Sequence, residues 1–561
     1  MSDPKPSVIS QQLDEAVAVW RGGWRVVRHK GPSKVQFWFI ALVIGTAAGF
    51  AALFFRKGIE QLQTLIYGTS DVRLASAAEM LPWYWVLIVP ILGGLCVGLI
   101  LHYFTPDARA RSVGDVIEGA ALNDGRVETR EGLASALASL ITLSSGGSSG
   151  REGPVVHLAG VISTWVSQRI HADGITGRDL LGCAVAGAVS ASFNAPIAGA
   201  LFALEVVLRH FAVHAFAPIA IASVAGTVIN RLEYGGITEF VLPEPGALDF
   251  YIELPAFLLL GLLSGVVAAF FMRAMFFSDR LSTAAWQATG LPRWMRPMVA
   301  GAVLGLIAIW FPHIIGVGYE TTSAALTGNL IWTQAVIFLI VKCAAVSVTL
   351  AGRMGGGVFS PSLMIGALLG LAFGIIATGL APDFSGSETL YALAGMGAVA
   401  AAVLGAPIST TMIVFELTGD WQTGIAVMTS VSLSSALASR MVDRSYFLTQ
   451  LERRGCHMAA GPQSYLLAMF RVSSVMRAMT HPKAPDTSQC EALISQGVFV
   501  DRAATLEQAL PKFDAGETDF LPVTTQGKDG EPPQLVGSLF QVDALKAYNR
   551  ALAAVAAEEH S

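Results

Sequence analysis

Long apolar runs, broken by short polar stretches, fill the chain as far as about residue 443. Phe37 to Phe55, Trp83 to Leu101, Leu258 to Phe271, Met298 to Phe311 and Leu330 to Leu350 recur along it. Several reach or approach the roughly 20 residues that cross about 30 Å of hydrocarbon. The pattern predicts membrane helices over 36–66, 82–104, 177–190, 195–210 and 216–231, then over 253–284, 290–311, 330–350, 360–380, 388–404, 407–418 and 423–440. Small residues dominate Gly132 to Ser149, as close helix packing in lipid requires. A further helix runs from the proline that follows to about Gln168. Residues 9–30, including Trp20 and Trp24, alternate apolar and charged positions at helical spacing and read as a helix on the membrane surface. Thr105 to Arg130 is a polar island whose Ser112–Glu118 part reads as a short helix beginning at Ser112. The fold class expected is an all-α polytopic membrane protein with a small α/β tail.

Composition removes the soluble alternative. The 561 residues are 53% apolar and 14% charged, against about 25% charged in soluble domains. A soluble chain would lack the polar surface to cover these runs. Net charge is −5 and no basic tract is dense enough for nucleic acid. The five cysteines show no metal-ligand spacing and read as inert thiols, so no metal is expected. Arg21, Arg25, Arg28, Lys30 and Lys34 precede the first span. By the positive-inside rule this end faces the cytoplasm.

One stretch stands out, Gly146 to Gly160, where glycines and serines surround Arg151 and Glu152 just before Pro154. A carboxylate at membrane depth is costly and marks function. The stretch has a partner in the second half. Gly150–Pro154 and Gly357–Pro361 are both G-x-x-x-P, and Ala195-Pro196-Ile197 matches Ala406-Pro407-Ile408. Glu205 and Glu416 each follow their proline by nine residues. Internal repeats with interrupted helices point to a transport site at the repeat interface. Pro154, Pro196, Pro361 and Pro407 are expected at first helical positions, where a missing N–H is harmless. The N–H groups of such helix starts would bind an anion without a full cation. Glu152 would mimic that anion and block its place until protonated or displaced, while Arg151 orients the loop.

These residues resemble the CLC family of chloride channels and proton-coupled chloride antiporters. Gly150-Arg-Glu-Gly-Pro154 matches G-[KR]-E-G-P, and Gly357-Val-Phe-Ser-Pro361 matches G-x-F-x-P. Phe193-Asn-Ala-Pro-Ile-Ala-Gly and Gly405-Ala-Pro add to it, and the likeness covers roughly 36–455. It implies an inverted repeat of broken, tilted helices and a homodimer with one anion path per subunit. Glu152 falls on the family's gating glutamate. Val358 and Phe359 fall where backbone N–H groups hold chloride, Tyr446 near the pore tyrosine, and Ser112 on the serine that donates to chloride. Gly150, Arg151, Gly153, Pro154, Gly357 and Pro361 form the selectivity loops. The family's G-S-G-I-P reads Arg111-Ser-Val-Gly-Asp115 here, so its glycines and proline are lost and Arg111 brings a cation nearby. Val206 stands where many antiporters carry an internal proton glutamate, a position that is apolar in the family's passive channels.

From residue 456 the chain is soluble in character. Phe499–Leu510, Phe520–Val523 and Leu535–Leu539 read as strand, helix, strand and strand, with a helix over Asp543–Leu552. This resembles one copy of a CBS domain, with Val472–Met476 as its leading segment. Such a module can bind adenine nucleotides, but a structural role is the expectation here, and no cofactor is expected in the membrane part. The domains expected are 1–35, 36–231, a loop at 232–252, 253–455 and 456–561. The whole would sit in a bacterial inner membrane with both termini cytoplasmic. The function expected is passive chloride conduction gated by Glu152, with chloride/proton exchange as the alternative. An intramembrane enzyme using Glu152 with His157, and a scaffold dominated by the tail, are the readings from other classes.

Overall fold

The computed structural model describes residues 33–69, 73–172, 174–211, 213–236, 240, 250–382, 385, 387–456, 467, 470–502, 504–516, 518–525 and 534–559. The surface helix expected over 9–30 and most of the loop at 232–252 lie outside the described residues.

The first half holds α1 (Lys34–Tyr67), α2 (Leu74–Met80), α3 (Trp83–Phe104), α4 (Val113–Leu122), α5 (Thr129–Ser144), α6 (Glu152–Ile170), α7 (Gly174–Phe193), α8 (Pro196–Phe202) and α9 (Val213–Tyr234). The second holds α10 (Phe250–Thr289), α11 (Arg296–Trp310), α12 (Tyr319–Leu326), α13 (Trp332–Ala351), α14 (Phe359–Leu380), α15 (Glu388–Leu404), α16 (Pro407–Thr418) and α17 (Trp421–Met441). A short α18 (Tyr446–Glu452) follows. Seven helices among the described residues are long and apolar enough to cross a membrane. α1 begins at a capping box, with the Ser33 N–H donating to Gln36 Oε1, and ends at Gly68 in the left-handed region, φ 77°. At 34 residues it is longer than the roughly 20 that span the hydrocarbon.

Close approach replaces the hydrophobic effect as the glue between helices in lipid. At the meeting of α1, α7 and α9, a Cβ on Gly187 would stand 2.8 Å from Gly45 Cα, which no side chain tolerates. The halves are also joined directly, α3 packing on α11 and α8 on α16.

Two of the differences from the sequence expectation bear on the site. The helix expected over 195–210 is α-helical only to Phe202 and continues as a π-helical turn, Ala203–Leu208. Only Pro196 and Pro407 occupy first helical positions. Pro154 and Pro361 lie two residues further in, because α6 and α14 begin at Glu152 and Phe359. Proline is tolerated there because the first four N–H groups of a helix have no partner within it.

The tail forms a four-stranded sheet ordered β1 (Arg477–Ala478), β4 (Gln534–Phe540), β3 (Phe520–Thr525), β2 (Val500–Asp501). β3 pairs antiparallel to β4 and parallel to β2. Val472, Leu506, Phe513, Leu521, Val523 and Leu539 make its core.

Candidate functional site

The two G-x-x-x-P loops meet. Gly150 N–H donates to Gly357 O and Gly357 N–H to Gly150 O, both at 2.7 Å. This bridge sets the starts of α6 and α14 side by side, so the free N–H groups of two helices converge. The Glu152 carboxylate is buried between them. Its Oε1 accepts from Ser360 Oγ at 2.5 Å, and its Oε2 is buried without a hydrogen-bond partner. The carboxylate therefore lies against the start of α14, where an anion would be held. Ser360 lies inside the Gly357–Pro361 motif, where nothing in the sequence marks it as the partner of Glu152. Arg151 turns elsewhere: its guanidinium donates to Ser192 O at 3.2 Å and stands 5.1 Å from the Tyr319 ring.

One cavity of about 550 Å³ gathers Ser112, Glu152, Gly153, Gly357, Val358, Phe359 and Tyr446. Gly150, Arg151, Pro154 and Pro361 stand behind its wall. The Phe359 ring packs on Phe193 at 4.7 Å and Phe202 at 5.7 Å. The FNAP segment thus fixes the side chain whose backbone opens α14. Tyr446, the first residue of α18, stacks on Phe276 at 5.2 Å.

Ser112 caps α4, and its N–H donates to Asp115 Oδ2 at 2.8 Å. Asp115 in turn binds Arg109 at 2.7 Å and Arg454 at 2.9 Å. This charged triad stiffens the Ser112 turn where the resembled motif uses glycines and proline. The cation expected beside Ser112 is not Arg111. That guanidinium binds Asp107 and Glu128, each at 2.8 Å, and of the three only Asp107 lines the cavity. The cavity's cations are Arg109, Arg353, Arg453 and Arg454.

The paired glutamates form a reciprocal clasp. Glu205 accepts from the N–H groups of Ile408 and Ser409 at the start of α16, at 2.9 and 2.7 Å. Glu416 accepts from Ile197 and Ala198 at the start of α8, at 2.9 and 2.7 Å. Each carboxylate caps the other repeat's helix. Val206 is buried beside Glu205 in the π-helical turn.

Lys342 was missed. It is fully buried on α13, and its Nζ donates to the carbonyls of Ile314 and Gly316 at 3.2 Å and Val317 at 3.4 Å. Gly316 bridges to Ser148, so this ammonium supports the loop that precedes Glu152. A lone Lys in an apolar run was the available signal.

Residues 93–439 match the family described as voltage gated chloride channel. The chain is 32% identical over 395 residues to a putative chloride channel protein ClcB-like of Ralstonia nicotianae, covering 69% of this chain and 90% of that one. It is 29% identical over 434 residues to the voltage-gated ClC-type chloride channel ClcB of Escherichia coli, covering 73% and 97%. Among solved structures, a slow cyanobacterial Cl-/H+ antiporter superposes with a TM-score of 0.67 at 19% identity, covering 75% of this chain and 98% of that one. A eukaryotic CLC transporter gives 0.64 at 18%, covering 90% and 98%.

Proposed function

The chain belongs to the voltage-gated chloride channel family, and on that premise we propose that it conducts chloride passively through a path gated by Glu152. The observation that carries this reading is the buried carboxylate lying at the start of α14, at the deep end of the cavity. Ionised, Glu152 occupies the anion's place. Protonated, or displaced by chloride, it leaves that place open. Chloride at Phe359 would be held by N–H partial charges, which release it faster than a fixed cation would.

The passive reading rests on what stands behind the gate. Many exchangers of the family carry an internal proton station, and the position expected for one is Val206. The neighbouring Glu205 is committed to two backbone N–H groups. In a planar bilayer the current reverses at the chloride equilibrium potential and does not move when a pH gradient is imposed. A reversal potential that tracks pH sinks the passive reading.

Ser112 supplies selectivity. Ser112 lines the cavity, and one hydrogen bond to an ion is worth enough for about a tenfold preference. Ser112→Ala therefore lowers the chloride-over-nitrate permeability ratio about tenfold. Alanine is the cleaner substitution than proline here. Ser112 has φ −145° and a bonded N–H, both incompatible with proline.

The protein is a multi-pass membrane protein, and its remaining surface fits a homodimer. Ile197 on α8 and Ile408 on α16 are 52% and 48% exposed around the clasp, with Val224, Val228 and Met428 on the helices beside them. The basic residues before α1 support a cytoplasmic N-terminus, and the reading taken with it is a bacterial inner membrane with the C-terminus on the same face. The CBS-like tail serves a structural role there, with adenine nucleotide as the lesser reading.

A further inference from the structure

The tail-side mouth of the cavity holds more guanidinium groups than its ion pairs use. Arg109, Arg353, Arg453 and Arg454 line it, facing Asp107 and Asp279. Arg109 is committed to Asp107 and Asp115, and Arg454 to Asp115. Asp279 meets Arg296 at 3.1 Å, outside the wall. That leaves Arg353 and Arg453, which make no ion pair within 4.0 Å among the described residues, Asp279 acting on Arg453 from farther off. Arg353 Nη1 donates to the backbone carbonyl of Asp107 at 3.1 Å. Arg453 lies 4.1 Å over the Phe276 ring, the ring that stacks on Tyr446. Arg109 adds a buried Nη1 with no acceptor, and buried donors without partners call for a ligand or water.

Arg353 also holds a left-handed backbone, φ 57°, where glycine would sit without strain. The chain keeps a long cation at a position that disfavours any side chain. A spherical monovalent halide makes little use of planar guanidinium forks. A tetrahedral oxyanion does, because two of its oxygens bind one fork and the rest reach a second.

We infer that this mouth binds a phosphate-class dianion between Arg353 and Arg453, plugging the path from the tail side. The plugging, though not the binding, rests on the reading of the cavity as the anion path. The dianion stops at the mouth because the Glu152 carboxylate at the deep end repels it, while chloride carries half the charge and goes further.

The full-length protein in detergent is titrated calorimetrically with inorganic phosphate, for the wild type, Arg353→Gly and Arg453→Gln. Arg353→Gly removes the cation and relieves the backbone at the loss of one hydrogen bond to Asp107 O, and Arg453→Gln tests the site independently of it. The wild type binds, and each variant binds about tenfold more weakly, as loss of a charge-assisted pair requires. In liposomes, the ratio of chloride flux with phosphate to flux without it falls only when phosphate is on the tail face. An arm with a nucleoside monophosphate separates a free anion from a phosphoryl group on an organic body. Either ligand, weakened in both variants, supports the site. Equal affinity in all three proteins, absence of binding, or labelled phosphate crossing at the rate of chloride overturns it. Calorimetry needs no transport, so a protein that binds phosphate but carries no chloride contradicts only the transport reading.

Discussion

Glu152→Ala raises chloride flux at neutral pH about tenfold and flattens its pH dependence. On the proposed reading, an ionised Glu152 occupies the start of α14, where its Oε1 accepts from Ser360 Oγ. Only the fraction of molecules with that place vacant conducts, and apparent affinity scales with that fraction. Acid neutralises the carboxylate, so wild-type flux rises as pH falls. Alanine has no group to titrate or to compete, and the flux stays at its upper level across the range. The check is chloride efflux from liposomes at several pH values. A variant whose flux and pH profile match the wild type would remove Glu152 from the gate.

Lys342→Met destabilises the protein by about 3 kcal/mol or more, although the side chains are of similar volume. Three carbonyls share the Lys342 ammonium. Each buried carbonyl left without a donor costs about 1–3 kcal/mol. The loop they belong to bridges to Ser148, so the loop before Glu152 loosens with it. Thermal unfolding in detergent, followed by size exclusion, reads the loss. An unchanged transition would mean the ammonium adds nothing beyond its own burial.

Most of what positions the site was legible in the sequence for a physical reason. Membrane spans are long and uniform, so boundaries such as 330–350 and 360–380 fall within two residues of α13 and α14. The paired G-x-x-x-P loops could be read because glycine and proline have few reasons to recur in register. Glu205 and Glu416 were legible as a repeat but not as a clasp, since their partners lie more than 200 residues away. Short helices such as Leu74–Met80 and Tyr319–Leu326 give too little period to register. Arg353 and Arg111 show the limit most clearly. Proximity along the chain pointed to Arg111 as the cation beside Ser112. The fold turns Arg111 to Asp107 and Glu128, and brings Arg353 to the cavity from the other half.

The central claim is that chloride passes Glu152 without a proton crossing behind it. Chloride and proton electrodes, read together on liposomes of the purified wild type under a chloride gradient, test it most directly. The account predicts chloride efflux with no proton movement beyond that of protein-free liposomes. Protons driven uphill in fixed proportion to chloride would contradict it.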